Sequence, residues 1–548
     1  MTSVVTAGGV SVTLRGAVVD RAAAVTERLI SDGVPAALAA GNPQLWGPGA
    51  VAEASKRLGW LKLAESSRPL LPRLAELAER VRADGLDRVV LAGMGGSSLA
   101  PEVITRTAGV ELTVLDTTDP QQVAAVVGDR LERTVVVVSS KSGGTIETDS
   151  HRRVFEGAFA AAGITGAELA RRFVVVTDPG SPLEEAAHQA GYTVVLADPD
   201  VGGRYSALSA FGLVPSALAG AQVAGLLEEA AALTPSLRQP YDNPSLTLGA
   251  ALGASALAGR DKLAIADRGS GIAAFGDWAE QLIAESTGKD GKGILPVVVE
   301  GVDAPGFTGG EDVCPVVLGG GFDGDGLGVT GPLGAQFLLW EYATAVAGRV
   351  LGINPFDQPN VQESKDNTAA LLRAADGDAP TVVAGEPALV VDAVEVHAPP
   401  ELVKGAKDLS AVLEAVVTAV PERGYLAVMA YLDRMGDAAA ERLRPLLAEA
   451  SARLRKTAVP VTFGWGPRFL HSTGQYHKGG PQNGVFVQIT GECAEDLPVP
   501  GKPYTLRQLQ LAQAFGDLRA LRSRGRPAVR FHLRDRAAGV RQLLSALA

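Results

Sequence analysis

Cysteine and histidine are both scarce in this chain. Its 548 residues include two cysteines, Cys314 and Cys493, and six histidines. The cysteines lie far apart and form no Cys-x-x-Cys spacing, which excludes a cysteine-rich zinc site and a disulfide framework. We therefore expect no metal site built on cysteine and no stabilisation by disulfides.

Long apolar runs and an excess of positive charge are also lacking. No uncharged apolar stretch reaches the roughly 18 residues of a membrane-spanning helix, and the start, "MTSVVTAGGVSVTLRG", does not resemble a signal peptide. The net charge of −11 disfavours binding to nucleic acid or anionic membranes. We expect a cytoplasmic protein, and any attraction for a phosphorylated ligand must be local.

What the chain does have is a regular alternation of buried strands and amphipathic helices. Uninterrupted β-branched runs separated by helical patterns predict a mainly parallel sheet that is covered on both faces. The first group of predicted strands is Arg88–Ala92, Leu112–Leu115, Thr134–Val138, Phe173–Val176 and Thr193–Leu196.

Three regions follow from this pattern. We predict an N-terminal helical segment at 1–60, a first α/β domain at 61–235 and a second at 236–548. Predicted strands of the second domain lie near 262–267, 294–299, 314–318, 425–432, 458–465, 484–490 and 528–533. A long-helix excursion at about 331–375 begins with Pro332 and stops at Gly352; its apolar surface predicts burial or a subunit interface.

Two glycine- and hydroxyl-rich loops follow predicted strands of the first domain. In "AGMGGSS", Gly96 and Ser97 lie between a strand and a helix, where backbone N–H groups can bind an anion. In "SSKSGGTIET", the candidate ligands are Ser140, Lys141, Ser142 and Thr145. Loops at the carboxyl ends of neighbouring strands share one crevice, so the pair predicts a phosphate site. The first loop lacks the third glycine of a dinucleotide fingerprint, which argues against a dehydrogenase.

Three further segments carry candidate polar residues. Arg204 follows two glycines, and Glu285 ends a helical run before "STGK", at the negative end of the helix dipole, which suits a general base. Glu280, a competing carboxylate, is expected to be solvated. "NPFDQPNVQESK" supplies Gln358 and Lys365.

Two of the six histidines, His471 and His477, lie in the glycine-containing segment "LHSTGQYHKGG". Two histidines at this spacing are too few ligands for a metal site. They are therefore acid–base candidates.

These motifs together resemble the glucose-6-phosphate isomerases, which are built from two sugar-isomerase (SIS) domains. "VGGRYSALSAFG" (201–212) and "FDQPNVQESK" (356–365) resemble the two signatures of that family, and "AGMGGSS", "SSKSGGTIET" and "AESTGK" resemble its phosphate loops and catalytic-glutamate segment. The chain as a whole resembles the isomerase half of bacterial bifunctional transaldolase/isomerase proteins, without the transaldolase half. The implied fold is α/β, with two three-layer αβα sandwiches.

Departures from the family concern the second signature and the histidine. Asn360 replaces a glycine and Gln362 an acidic residue, and no histidine lies between Glu285 and Lys365. "LHSTGQ" resembles the sequence around the catalytic histidine of short bacterial members. That role is therefore assigned to His471, with His477 as the alternative.

The resemblance implies conversion of glucose 6-phosphate to fructose 6-phosphate through a cis-enediolate, in glycolysis and gluconeogenesis. Glu285 would be the base, Arg204 the cation beside the enediolate, and His471 the ring-opening group, helped by Lys365. The residues of the two loops would bind the phosphate, with Gln358 on a hydroxyl or the phosphate. The family also implies a homodimer and no cofactor.

Two alternatives remain open from sequence. An isomerase of wider specificity would also accept mannose 6-phosphate, because only the configuration at C2 differs. A non-catalytic SIS protein that senses a sugar phosphate would keep the hydroxyl-rich loops and could lose Glu285 and Arg204.

Overall fold

A computed structural model describes residues 1–321, 323–374, 385–403 and 405–548 of the chain. The strands of these ranges are β1 Thr2–Ala7, β2 Val10–Arg15, β3 Arg88–Gly93, β4 Thr113–Leu115, β5 Thr134–Ser139, β6 Phe173–Thr177, β7 Thr193–Leu196, β8 Lys262–Arg268, β9 Leu295–Val298, β10 Val313–Gly319, β11 Gly326–Thr330, β12 Leu389–Val391, β13 Val394–His397, β14 Tyr425–Tyr431, β15 Val461–Trp465, β16 Gly484–Gly491 and β17 Ala528–Leu533. They form three sheets.

Helices connect most of these strands. They are α1 Val18–Ser31, α2 Val34–Ala39, α3 Val51–Ala54, α4 Leu63–Ser66, α5 Leu70–Ala83, α6 Leu99–Ala108, α7 Pro120–Gly128, α8 Ile146–Ala161, α9 Gly166–Arg171, α10 Pro182–Gln189, α11 Ala210–Leu218, α12 Val223–Leu233, α13 Pro244–Leu257, α14 Phe275–Thr287, α15 Leu333–Leu351, α16 Val361–Ala374, α17 Pro400–Val403, α18 Leu409–Thr418, α19 Leu443–Arg455, α20 Gly474–Gly479, α21 Leu506–Ser523 and α22 Arg536–Ser545. The predicted α/β class with mainly parallel sheets is confirmed.

The first sheet, in the order β4-β3-β5-β6-β7, is parallel throughout. Alternate valines of β5 belong to different cores: Val135 and Val137 pack on one face, and Val136 and Val138 on the other. Both faces are therefore covered, as the unbroken valine run predicts.

The N-terminal region differs from the predicted helical segment at 1–60. Residues 2–15 form the antiparallel hairpin β1–β2, and β2 pairs with β11 to extend a second sheet, β1-β2-β11-β10-β8-β9. Along β2, Val10, Val12 and Leu14 are buried while the residues between them are partly exposed. The hairpin forms because this alternation presents one apolar face to the core, and Gly8 and Gly9 allow a two-residue turn with positive φ.

The third sheet, β12-β13-β17-β16-β14-β15, lies C-terminal to the second. Its four strands β14 to β17 are mutually parallel, and β12 and β13 join by antiparallel pairing. Residues 236–548 thus contribute strands to two sheets, and the division of the chain into domains at 60 and 235 stays a prediction.

Helix α15 occupies the predicted excursion, whose last residue, 375, lies outside the described residues. Pro332 is the residue before its first turn, and Gly352 ends it in the left-handed conformation (φ 68°). It packs against α12, α13 and α14 of the same chain. A Cβ at Gly249 of α13 would lie 2.6 Å from the carbonyl oxygen of Ala343, so glycine permits this close helix contact. Of the two predicted alternatives, burial within the chain accounts for its apolar surface.

Candidate active site

A cleft of about 440 Å³ opens at the carboxyl ends of the first sheet. It is lined by polar groups from distant parts of the chain. They include every residue that the sequence predicted for the site: Gly96, Ser97, Ser140, Lys141, Ser142, Thr145, Arg204, Glu285, Gln358, Lys365 and His471. The sequence therefore identified segments that the fold brings together, although they are spread over most of the chain.

The loop after β3 approaches the Arg204 segment closely. A Cβ at Gly96 would lie 1.9 Å from the carbonyl oxygen of Gly203, and Gly95 has φ 56°. Any larger residue at 96 would push the two loops apart. The close contact between this loop and the Arg204 segment therefore requires glycine at position 96.

The loop after β5 presents its hydroxyls to the same cleft. The hydroxyls of Ser140 and Thr145 are hydrogen-bonded at 2.9 Å, and Ser142 Oγ accepts from Gly144 N at 3.3 Å. Because β5 neighbours β3 in the sheet, the two loops lie side by side. Hydroxyls and backbone N–H groups at adjacent strand ends suit a phosphate.

Lys141 is less free than the sequence implied. Its ammonium forms an ion pair with Asp178 and donates to the carbonyl oxygen of Pro199 at 3.1 Å. Burial raises the pKa of Asp178 in spite of this lysine. Much of the positive charge of Lys141 is therefore matched within the protein, and Arg57, which the sequence did not single out, lines the cleft beside it.

Arg204 is the most extensively bonded group in the cleft. Nη1 lies 3.1 Å from Glu285 Oε1 and donates to Gln358 Oε1 at 2.7 Å. Nε donates to Ser286 Oγ, and Nη2 to the carbonyl oxygens of Pro355 and Asp357, all at 2.9 Å. The side chain is 4% exposed. A guanidinium held on all sides has a fixed direction, as electrostatic stabilisation of a developing anion requires.

Glu285 lies in the last turn of α14 and is 8% exposed. Besides Arg204, it accepts a hydrogen bond at 3.1 Å from Nε2 of Gln281, one turn earlier on the same helix. The guanidinium and the amide offset the unfavourable dipole of the helix end. The carboxylate is therefore fixed at the cleft wall.

Glu280 lines a different cleft and is partly buried, so the expectation that it is solvated was wrong. Burial, with repulsion from Asp277, raises its pKa to about 8. Ser472 Oγ donates to it at 3.2 Å. Its place in another cleft leaves Glu285 as the carboxylate beside Arg204.

His471 lines the cleft and is joined to a buried carboxylate. Its Nε2 lies 2.9 Å from Glu147 Oε1, which also accepts from Gln513 Nε2 at 2.7 Å. Burial opposes the charge on Glu147, but the neighbouring His471 and its hydrogen bond keep the pKa of Glu147 below its usual value. Gln281 Nε2 donates to the His471 carbonyl oxygen at 2.8 Å, so one amide contacts both His471 and Glu285.

His477, the alternative, lies outside the cleft. It stacks on Tyr425, whose hydroxyl is 3.0 Å from its Nδ1. Complete burial, with Lys478 and Arg526 nearby, lowers its pKa well below the ordinary value. It is a neutral core residue.

Besides Arg57, sequence reasoning missed Glu147 and Gln281 as members of this site. Glu147 lies in the first turn of α8, directly after the hydroxyl-rich loop, and Gln281 precedes Glu285 by one helical turn. These two positions in the sequence were the signal that could have identified them as site residues. A first-turn carboxylate lies beside the loop that precedes its helix, and a residue four positions before another shares its face of the helix.

The described ranges hold neither a metal site nor a membrane span. No three His, Cys, Asp or Glu side chains are grouped there as metal ligands, and the helices in those ranges are all too short or too polar to cross a bilayer.

Several known proteins are similar to this chain in sequence. Residues 72–292 match the model of the family described as phosphoglucose isomerase. A glucose-6-phosphate isomerase of Rubrobacter xylanophilus is 32% identical over 386 residues, covering 57% of this chain and 89% of that protein. One of Symbiobacterium thermophilum is 30% identical over 397 residues, covering 57% and 86%.

A solved structure agrees in fold. The crystal structure of a glucose-6-phosphate isomerase from Chlamydia trachomatis has a TM-score of 0.53 and 21% identity, covering 68% of this chain and 89% of that chain. The chain is an α/β protein with a cleft rich in hydroxyls, a guanidinium and a carboxylate. It belongs to the phosphoglucose isomerase family. The matched residues 72–292 include Arg204 and Glu285, but Lys365 and His471 lie beyond them.

Proposed function

We propose that this chain interconverts glucose 6-phosphate and fructose 6-phosphate, as an aldose–ketose isomerase of glycolysis and gluconeogenesis. The observation that carries the proposal is its membership of the phosphoglucose isomerase family, with relatives of that activity by name over 86–89% of their length. The Arg204–Glu285 pair in a cleft lined by two hydroxyl-rich loops supports it.

The reaction moves one proton between C2 and C1 of the open-chain sugar. Glu285 takes the proton from C2 of glucose 6-phosphate and returns it to C1, and Arg204 stabilises the negative charge on the enediolate oxygen. The 3.1 Å contact between the two side chains supports these roles, because base and cation must meet adjacent atoms of one substrate.

Ring opening requires a separate acid–base group. His471 serves this step, with Glu147 orienting its ring and stabilising its charge, and Lys365 assists from α16. The 2.9 Å contact with a buried carboxylate supports His471, since such a partner fixes both the tautomer and the direction of an imidazole.

The substrate's phosphate binds the first sheet. Gly96, Ser97, Ser140, Ser142 and Thr145 surround it, with Lys141 at the side, and Gln358 binds a hydroxyl of the sugar. Anchoring the phosphate in this way brings C1 and C2 to Glu285.

The assembly and location of the protein are carried over from the family. We propose a homodimer in the cytoplasm, with the domains at 61–235 and 236–548 each supplying part of the cleft. Light scattering of the purified protein tests the homodimer. A measured mass equal to that of a single chain would contradict it.

The activity is tested by incubating the protein with glucose 6-phosphate in D2O. Proton NMR should show fructose 6-phosphate forming and deuterium entering C2 of the remaining glucose 6-phosphate. A parallel sample with mannose 6-phosphate tests the wider specificity. Binding of glucose 6-phosphate without conversion or exchange would contradict the proposal and favour a sugar-phosphate sensor.

A further inference from the structure

Lys289 is a buried lysine directly behind the cleft that none of the roles above uses. It follows the C-terminus of α14, four residues after Glu285, and its side chain is 2% exposed. At Gly288 a Cβ would lie 2.4 Å from Tyr476 Cα, so the chain turns there against α20. This turn directs Lys289 inward, towards the segment that precedes α16.

The ammonium of Lys289 has three oxygen partners, all in that segment. Nζ donates to the carbonyl oxygens of Asn354 at 2.7 Å and Asp357 at 2.6 Å, and lies 2.7 Å from Asp357 Oδ1. An ammonium has three N–H groups, so its bonding capacity is filled. It does not extend into the cleft as a ligand would need it to.

One of these partners is shared with Arg204. The carbonyl oxygen of Asp357 accepts from Arg204 Nη2 at 2.9 Å as well as from Lys289. The next residue, Gln358, accepts from Arg204 Nη1. Two cations therefore converge on one peptide, and that peptide fixes where the guanidinium stands relative to Glu285.

Placing two cations so close has an electrostatic cost that packing alone would not require. The charged groups facing Lys289 are Arg204, Asp357 and Glu285; burial first, then Arg204, lowers the pKa of Lys289 to about 8 in spite of the two carboxylates. A neutral residue of similar length would fill the same space without repulsion. The arrangement is explained if the ammonium is needed to hold the Asp357 carbonyl.

We propose that Lys289 is a positioning residue for the isomerisation, which acts by clamping the Asp357 carbonyl so that Arg204 faces Glu285 and the reacting carbons. The inference depends on the proposed function, since it concerns the same reaction. It adds a residue that touches no substrate atom but controls the direction of one that does.

The test substitutes Lys289→Met, which keeps the approximate length of the side chain and removes its N–H groups. We expect kcat for glucose 6-phosphate to fall about 100-fold, the usual effect of displacing a catalytic group by about 1 Å, with little change in KM, because the phosphate loops are untouched. Lys292→Met is the matched control. Lys292 lies in the same loop as Lys289, but its ammonium donates to the carbonyl oxygen of Leu351, away from the cleft. The kcat of this variant should stay within about twofold of the wild-type value.

A second variant separates positioning from folding. In Lys289→Ala, added ethylammonium should enter the space left by the side chain and restore much of the lost kcat. The same amine should leave the kcat of the wild-type protein unchanged. Unchanged kcat in Lys289→Met, an equal loss in Lys292→Met, or a loss in Lys289→Ala that the amine does not reverse would overturn the inference. Inactive wild-type protein would instead contradict the proposed function.

Discussion

Glu285 has neighbours suited to its proposed role as the general base. Arg204 and Gln281 both stabilise the carboxylate from one side, and the other side faces the cleft. In the proposed mechanism Glu285 becomes neutral when the enediolate forms, and the negative charge moves to the substrate, where the same guanidinium can stabilise it. The two side chains and the substrate together therefore keep the same net charge through the proton transfer, which limits reorganisation of the buried site.

Replacing Glu285 with Gln tests this residue. Glutamine keeps the shape and can still contact Arg204, but it cannot accept the proton, so kcat should fall by about a thousandfold with a modest change in KM. A coupled assay of fructose 6-phosphate formation measures both. The matched control is Glu280→Gln, on the same helix: because the pKa of Glu280 is about 8, glutamine imitates its neutral form at pH 7 and activity should be retained. Equal losses in the two variants would contradict the assignment.

The two histidines predict opposite phenotypes. His471→Asn should lower kcat about a hundredfold and lower the melting temperature less than His477→Asn does, because the ring lies at the cleft wall and the asparagine amide can still donate to Glu147. His477→Asn should lower the melting temperature, because it removes an imidazole that packs among Tyr425 and Phe486 in the core. Kinetics and thermal unfolding of both variants test which histidine is the acid–base group. A lower kcat without a lower melting temperature in His477→Asn would assign that role to His477 and not to His471.

At the scale of elements, the sequence predicted strands better than it predicted how they join. The valine run of β5 was placed to within one residue, because an unbroken β-branched run between turn signals has few alternatives. The β1–β2 hairpin was missed, although Gly8-Gly9 between two alternating runs is a hairpin signal. Its pairing with β11 depends on Val12 meeting Val329, and no local pattern carries that information.

Helix α15 contains a carboxyl group that its apolar surroundings do not match. Glu341 is 0% exposed, and in the described structure neither of its carboxyl oxygens has a protein hydrogen-bond partner. Burial raises its pKa well above the ordinary value. The carboxyl group is thus neutral in the folded protein at acidic pH, and ionising it in the folded state costs free energy.

This burial predicts a pH-dependent effect of Glu341→Gln. The pKa of Glu341 is higher in the folded state than in the unfolded state. The free energy of unfolding of the wild-type protein is therefore reduced least below the unfolded-state pKa, and it falls as pH rises above that value towards the folded-state pKa. The uncharged glutamine removes this loss. The gain in melting temperature over wild type should therefore be larger at pH 8 than at pH 4. Glu228→Gln, an exposed position on α12, is the control; equal shifts at both pH values would contradict the prediction.

At the scale of the whole molecule, the candidate site depends on contacts between distant parts of the chain. His471 meets Glu147, and Gln281 meets both His471 and Glu285. The sequence predicted His471 from its motif, because the resemblance to the family indicates which residue corresponds to its catalytic histidine. It could not supply Glu147 as the partner, since a contact between α8 and the segment after β15 is set by the packing of separate sheets.

A buried charge cluster is one of the connections that hold these parts together. Arg468, three residues before His471, lies 2.7 Å from both Glu102 on α6 and Asp116 after β4, and 3.3 Å from Asp277 on α14. Burial alone would raise the pKa of Glu102, but Arg468, with Arg434, lowers it to about 2. One guanidinium thus compensates carboxylates from separate elements of the fold.

Arg468→Met should therefore destabilise the whole protein and not one region of it. Removing the cation leaves buried carboxylates uncompensated, which costs about 3–5 kcal/mol of unfolding free energy. Since the folded pKa of Glu102 is depressed, its contribution is present above the unfolded-state value and is lost as pH falls towards 2. The difference between variant and wild type in urea unfolding should be largest at pH 7 and smaller at pH 4.

A second substitution distinguishes lost charge compensation from lost packing. If uncompensated charge is the cause, adding Glu102→Gln to Arg468→Met removes one of the stranded carboxylates and should recover part of the stability. If the methionine simply packs badly, the double variant should be no more stable than the single one, and the destabilisation should be the same at both pH values. Because Arg468 leads directly into the His471 segment, kcat should fall together with stability in the single variant and recover with it in the double.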